Sequence, residues 1–380
     1  MAKKPLDPEL ASVRKVISDY RKQKKIAKME LIKEETLATE WYTIRSMLGY
    51  TWAMFLFMIG GREAGKSYAV CNFYVDQYKH KHRPFYWIRL TKDSAAKLLK
   101  NNAEKLVDPD IRRKYHLDLV TRGENVYNVL ERDKKTNRIK KKELMCRVLN
   151  LSTFYADKGS GLFDKDFLDD PNMYYNIAFD EMNREKNERN SFDIVYSFAN
   201  QIENLIRSTK KRVRIICIGN TLDEVSDLLA SFNFLPEKFG RYKLKKKRAV
   251  IDYIEPTEEY LERRKGTAAD ILMGNASTFT NRVQVDKSLI YHGRLTKPQN
   301  VIQFSKDSMD WYTLWSDGVI APWHKEKKPV IAMKPYIDQV FDRETQNNVI
   351  VAFDSRAFRY KDLITFKKFQ KQIELLKPRG

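Results

Sequence analysis

The sequence predicts an α/β fold: a mostly parallel sheet with helices on both faces, followed by a separate, smaller β-rich domain. Three observations carry this. Short apolar runs, Met54–Ile59, Phe85–Leu90, Tyr174–Phe179 and Arg214–Ile218, alternate with helix-patterned stretches such as Lys66–Tyr78 and Phe192–Arg207. Short buried strands that alternate with helices indicate a parallel sheet covered on both sides. The first run passes directly into a glycine-rich loop and then a helix, and from Asn300 onward the pattern changes to closely spaced short apolar runs closed by one basic helix.

The chain has 380 residues, enough for two or three domains. Residues 1–48 read as a basic helical N-terminal arm, with Val13, Ile17 and Tyr20 at helical spacing in a highly charged stretch. Residues 49–254 hold the strand–helix alternation. Within them, "NVYNVLERDKKTNRIKKKELMCRVLNLS" reads as two strands joined by a basic turn that carries Lys134, Lys135, Lys140, Lys141 and Lys142. That tip is either a solvated turn or a loop that touches nucleic acid. Residues 241–254 read as one basic strand-like segment, and residues 255–295 as a charged linker or lid. In residues 296–380 the strand-like runs are "NVIQF", "WYTLW", "VIAMKP" and "NVIVAF". Asp317-Gly318 reads as a hairpin turn, and "DLITFKKFQKQIELLK" as the closing helix.

Composition narrows the function. Lys and Arg number 71 against 50 Asp and Glu, a net charge of +21. A protein this basic usually meets a polyanion, so nucleic acid is the expected partner; a merely solvated basic surface is the bland alternative. The three cysteines, Cys71, Cys146 and Cys217, are far apart and form no CxxC pair, so neither a zinc site nor a disulfide framework is indicated. Cys71 and Cys217 sit among apolar residues and are expected to be buried. The N-terminus "MAKKPLDPEL" has no apolar signal region, and Trp52–Ile59 is too short to span a bilayer. The expectation is a cytoplasmic protein with no membrane segment.

The chemistry-bearing motif is "MIGGREAGKSYAV". Gly60, Gly61, Arg62, Glu63, Ala64, Gly65, Lys66 and Ser67 match the P-loop pattern G-x-x-x-x-G-K-[ST], between a strand and a helix. Glycines let the backbone approach a triphosphate, and their N–H groups form an anion nest. Lys66 neutralises the outer phosphates, Ser67 ligates Mg²⁺, and the helix N-terminus adds its positive dipole. ATP and Mg²⁺ are the expected ligands. A P-loop needs a carboxylate on a second strand, and "YYNIAFDEMNREK" supplies Asp180 and Glu181 at the C-terminal end of an apolar run. Asp180 is expected to hold Mg²⁺ and Glu181 to polarise the attacking water. Asn220, at the tip of the next strand, is either a γ-phosphate sensor or a turn residue. Arg207 is either an arginine finger reaching a neighbouring subunit or one member of a basic cluster with Lys210, Lys211 and Arg212.

"MIGGREAGKSYAV", "IAFDEMNREK" and "RVRIICIGN" together resemble the genome-packaging ATPase of small short-tailed phages with protein-primed linear double-stranded DNA, a terminase-like motor. The resemblance implies an additional-strand P-loop (ASCE) ATPase domain and a smaller C-terminal domain of inactive RNase H-like fold. It implies a homopentameric ring that drives double-stranded DNA into a procapsid, in the host cytoplasm and at the portal vertex, with the portal and a packaging RNA as further partners. By the same resemblance Arg62 is a P-loop arginine, Arg207 the trans finger, and Lys92, after "FYWIRLTK", a basic residue coupling ATP to DNA. The competing readings are a large terminase with a working nuclease, a hexameric helicase or translocase not tied to capsids, and a P-loop scaffold that uses nucleotide only as a switch. Nuclease activity is not expected: "NVIQF", "WYTLW" and "VIAMKP" contain no Asp or Glu, and Asp354 has no obvious acidic partner.

Overall fold

The computed structural model describes residues 19, 41–157, 174–184, 192–206, 212–220, 226–273, 287–295, 298–303, 311–322 and 343–377. The N-terminal arm before residue 41 (Asp19 apart), Arg207 and the run "VIAMKP" lie outside the described residues. The chain divides into two compact units. The first comprises Met1–Met182, Gln201–Asn220 and Phe239–Asn281; the second Asn183–Asn200, Thr221–Lys238 and Arg282–Gly380. The division therefore falls inside the charged stretch 255–295, and the second unit takes in two segments from the middle of the chain.

The first unit is built on a nine-stranded sheet. Its strands are β1 (Phe55–Ile59), β2 (Phe85–Arg89), β3 (Leu119–Arg122), β4 (Asn125–Arg132), β5 (Ile139–Asn150), β6 (Tyr174–Asp180), β7 (Arg212–Gly219), β8 (Gly240–Leu244) and β9 (Ala249–Tyr253). Their spatial order is β3-β4-β5-β2-β6-β7-β1-β9-β8. The central run from β5 to β9 is parallel throughout, and β3, β4 and β8 join the edges antiparallel. Central parallel strands are apolar along their length because both faces are covered. Leu56, Phe57, Met58 and Ile59 of β1 are accordingly buried, as are Ile215 to Ile218 of β7. Each large side chain so buried stabilises the fold by roughly 1.5–3 kcal/mol.

Two local features place the site. The helix Lys66–Lys81 follows β1 and buries Val70, Cys71, Tyr74, Val75 and Tyr78 on the sheet. The helix Lys92–Ala103 follows β2 and opens with a capping box between Thr91 and Ser94. Segment 241–254, expected as one strand, is instead the antiparallel hairpin β8–β9. Its reversal is the turn Lys245–Lys247 with Arg248 at φ 50°, which leaves the lysines in water. Cys71, Cys146 and Cys217 are all buried thiols, and burial pushes them above their ordinary range.

The second unit has its own sheet, β10 (Pro298–Gln303), β11 (Trp311–Trp315), β12 (Val319–Pro322) and β13 (Arg359–Tyr360), in that order. The first three are antiparallel; β13 joins β12 parallel. Asp317 and Gly318 do form the turn between β11 and β12, with Gly318 at φ 73°. The run "NVIVAF" is a correction: it lies in the helix Arg343–Asp354, not in a strand. Val349, Ile350 and Phe353 pack against the cluster of Tyr312, Ile320, Phe358, Tyr360, Phe369 and Ile373. Their one-, three- and four-residue spacing is that of a helix face. The closing helix Leu363–Leu376 starts at Asp362, whose carboxylate accepts from Thr365 N at 2.7 Å.

Candidate nucleotide-binding site

Strand β1 delivers the glycine-rich loop to the C-terminal edge of the sheet. The loop turns through two left-handed residues, Glu63 at φ 63° and Gly65 at φ 81°. A side chain at Gly65 would also be tight: a Cβ there would lie 3.2 Å from the Trp41 ring. Lys66 is buried, and its Nζ donates to the carbonyls of Gly60 at 2.9 Å and Gly61 at 2.6 Å. Burial pulls its amine down to about 8, with the nearby Asp180 opposing the shift.

The acidic pair arrives from β6. One strand, β7, separates β6 from β1, so the two strand ends are close but not adjacent. Across that gap Ser67 Oγ donates to Asp180 Oδ1 at 3.1 Å. Burial raises the Asp180 carboxyl, and Arg89 works against that shift. Glu181 has φ 56°, a left-handed backbone that costs a non-glycine residue energy and that is found disproportionately at active sites. Its N–H donates to Asp180 Oδ1 at 3.1 Å, while its side chain stays half exposed. Asn220 follows β7 directly: Gly219 lies beside Ile59 in the sheet and accepts from Gly60 N at 3.3 Å. That register puts Asn220 at the start of the phosphate loop.

Arg89 is the site residue that the sequence reading missed. It ends β2, on the other side of β6 from β7. One guanidinium nitrogen lies 3.1 Å from Asp180 Oδ2 and another pairs with Glu181 Oε2, so Arg89 bridges both carboxylates. The available signal was a cation closing an otherwise apolar run, "FYWIR", at the strand edge where ligands bind. A cleft of about 550 Å³ opens here, lined by Ser67, Trp87, Arg89, Lys97, Asp180 and Glu181 among others. A second cleft, about 280 Å³, borders the loop at Ala64 and is walled by Trp41, Tyr42, Tyr253 and Tyr260. Tyr42 Oη donates to Asp252 Oδ2 at 2.9 Å, and Arg241 reaches the same oxygen at 2.8 Å.

The donor set suits Mg²⁺. Hard cations take oxygen ligands, and Mg²⁺ typically uses one or two protein groups and completes its shell with phosphate and water. Ser67 Oγ and the Asp180 carboxylate supply two such oxygens at hydrogen-bond distance from each other.

The other expected residues are placed apart from this cleft. Arg62 sits exposed at the loop tip, and Lys92 is exposed at the start of its helix; Lys97 and Lys105 contribute the lysines along the cleft. Lys134, Lys135, Lys140 and Lys141 are exposed on the β4–β5 hairpin. Lys140 pairs with Asp133 at 3.2 Å, and Lys142 lies 3.9 Å from the Tyr127 ring centroid.

A parallel sheet in which one strand separates the phosphate-loop strand from the strand ending in Asp-Glu defines an additional-strand P-loop ATPase, here joined to a smaller β-containing unit. Comparison with known proteins carries this to a family. Residues 38–376 match the Podovirus DNA encapsidation protein (Gp16) family, and the chain belongs to it. It is 24% identical over 311 residues to the DNA packaging protein of Bacillus phage phi29, covering 80% of this chain and 81% of that relative. The fold is similar to a chain of the bacteriophage Phi-29 viral genome packaging motor assembly, with a TM-score of 0.57 at 19% identity over 89% of this chain and 100% of that one. It is also similar to a chain of the Phi-28 gp11 DNA packaging motor, with a TM-score of 0.60 at 15% identity over 90% and 100%.

Proposed function

We propose that this chain is a subunit of a ring motor that uses ATP hydrolysis to drive double-stranded DNA into a viral procapsid. The observation that carries this is the meeting of Ser67 and Asp180 across an added strand, with Glu181 next in sequence, in a member of a DNA encapsidation family. In this reading the loop Gly60–Ser67 cradles the phosphates, with Arg62 at its tip and Lys66 balancing their charge. Ser67 and Asp180 would hold Mg²⁺, which when bound would neutralise charge on the phosphate oxygens. Glu181 orients and deprotonates the attacking water. Arg89 sits on both carboxylates and sets where the Glu181 side chain points. Asn220 senses the outermost phosphate, and the aromatic cleft at Trp41, Tyr42 and Tyr260 seats the base.

The partners are DNA, the portal of a procapsid and further copies of the chain. A homopentameric ring, a packaging RNA, a site of action in the host cytoplasm at the portal vertex, and Arg207 as a finger acting on the neighbour's ATP are the finer parts of the proposal. Lys92 and the hairpin lysines would contact DNA phosphates, which hold the duplex without reading its sequence. In this reading the ATPase domain is the part of residues 49–254 that belongs to the first unit, and residues 296–380, in the second unit, are a nuclease-inactive, RNase H-like domain. Supporting inactivity, Asp354 accepts from Lys377 Nζ at 2.7 Å, where a metal site would want a second acid. No helix among the described residues is long and apolar enough to cross a membrane.

The test is ATP turnover with and without duplex DNA and empty procapsids, for the wild type and Lys66→Ala. The expected result is turnover stimulated by DNA and procapsids together and abolished by the substitution. Turnover indifferent to both, or surviving in Lys66→Ala, would overturn the reading.

A further inference from the structure

The phosphate loop is gripped from outside. Every carbonyl from Gly60 to Gly65 accepts a hydrogen bond, and the donors come from four places. Lys66 Nζ takes Gly60 and Gly61; Ala69 N takes Gly65 from within the helix; Tyr42 N takes Ala64 at 3.0 Å. The donors to the remaining two belong to one short helix far along the chain, Glu258–Arg264. Tyr260 Oη donates to Arg62 O at 2.8 Å, Arg264 Nη1 to the same oxygen at 3.0 Å, and Arg263 Nη2 to Glu63 O at 2.9 Å. Arg264 Nη1 also donates to Tyr260 Oη at 2.9 Å, so the two act as one network.

Burial shows that these contacts are specified. Tyr260 is 3% exposed and Arg264 6%, yet their polar ends meet the loop backbone. A buried guanidinium or hydroxyl is costly unless it is paired, so the loop carbonyls are part of what makes this helix tolerable in its place. Thr257 caps the helix by accepting from Tyr260 N at 3.1 Å, and the Arg263 guanidinium lies 3.9 Å from the centroid of Trp41, the ring that also packs on Gly65. The consequence for the ligand is electrostatic. A phosphate is repelled by carbonyl oxygens and attracted by amide N–H groups, and a peptide plane that turns its oxygen to one side turns its N–H to the other.

We propose that Tyr260, Arg263 and Arg264 are positioning residues of the phosphate site: by holding the Arg62 and Glu63 carbonyls they keep the nest's N–H groups facing the phosphates. They touch the loop backbone and act through it. The proposal rests on the phosphate-loop reading above and adds its outer support.

The test compares Tyr260→Phe with the wild type in two measurements. One is affinity for ATP and for inorganic tripolyphosphate; the other is the thermal midpoint with and without ATP. Losing one hydrogen bond that orients the nest is expected to weaken both ligands about three- to tenfold. The ATP-induced rise in midpoint should shrink accordingly, because that rise follows ligand concentration over dissociation constant. A merely structural role would lower the midpoint without ATP and leave the ATP-induced rise unchanged, which overturns the proposal. So would weakened ATP with unchanged tripolyphosphate, since Tyr260 would then be a wall of the base cleft only. If Tyr260→Phe does not fold, the half-exposed Arg263→Gln takes its place, with the same expected direction and the same overturning results. Lys66→Ala separates the two levels: if it still binds tripolyphosphate like the wild type, the phosphate-loop reading itself fails, and if it does not, an unchanged Tyr260→Phe defeats the outer support alone.

Discussion

Lys66 is the residue where burial and function pull in opposite directions. Burial pulls its amine down to about 8 from the ordinary 10.5, because the charged form loses water. The sign for stability follows from linkage. Between those two values the unfolded chain holds more protons than the folded one, so the cost of the buried charge is full below about pH 8 and is relieved as pH rises toward 10.5. The sign for ligand binding is the reverse. A triphosphate favours the charged amine, so binding raises its pKa, and above pH 8 ATP should bind together with a proton. Calorimetry at about pH 9 in two buffers of different ionisation enthalpy should show uptake approaching one proton, with affinity falling up to about tenfold per pH unit. Zero uptake there would mean that Lys66 is not the depressed group. The residues of this site were unequally legible. Gly60 to Ser67 were legible because all of their chemistry lies in one local run. Arg89 was not, because its role appears only when β2 and β6 lie side by side. Tyr260 and Arg264 were still further from view: their partner, Arg62, is 198 and 202 residues away.

At the scale of elements, hydrophobic period decided what could be read. The buried strands β1, β6 and β7 announce themselves as mostly apolar runs, interrupted in β6 by Asn176 and in β7 by Arg214. "NVIVAF" has the same composition, but Val349, Ile350 and Phe353 share a helix face, and a run of that length does not distinguish the two periods. The β8–β9 reversal was hidden because its turn is three lysines and an arginine, Lys245 to Arg248, with no glycine or proline to mark it. The β4–β5 hairpin was legible as an element, and its role at the tip is open to a direct test. Asp133 organises the turn by accepting from Lys135 N and Thr136 N, both at 2.9 Å. Lys140 and Lys142 are engaged within the hairpin, whereas Lys134, Lys135 and Lys141 are exposed. If the tip grips DNA, replacing Lys134, Lys135 and Lys141 by Gln should weaken duplex binding evenly across sequences. It should also flatten the plot of log affinity against log salt by about one unit for each DNA phosphate that is no longer neutralised. A Lys142→Gln control should change the slope less. An unaltered slope in the triple variant would make the tip a solvated turn.

At the scale of the molecule, a net charge of +21 fits a machine that tracks a phosphate backbone, but charge alone does not convert hydrolysis into movement. One way to coordinate subunits is for each active site to be completed by its neighbour. Within one chain the described site brings together the glycine-rich loop, the Ser67 and Asp180 oxygens and the Glu181 carboxylate, to which the proposal gives the phosphates, the metal and the attacking water. The cationic group that stabilises charge on the transferring phosphate is the part best supplied from outside, and Arg207, just after the helix Ile194–Ile206, is the residue proposed for it. Such a finger is worth about 10³–10⁵ in rate. Glu181→Gln should bind ATP but lose about two to four orders of magnitude in hydrolysis. Arg207→Ala should be comparably inactive, each subunit lacking what it gives to its neighbour. In that proposal the two defects fall on different sides of one subunit interface. When the variants are co-assembled, an Arg207→Ala subunit with an intact Glu181 can receive the arginine of an adjacent Glu181→Gln subunit, and that site is complete. Turnover should therefore reappear in mixed rings and peak at intermediate ratios. Persistent inactivity at every ratio, with mixed assembly verified by mass spectrometry, would place Arg207 in its own subunit's basic cluster and leave the neighbour's contribution to another residue.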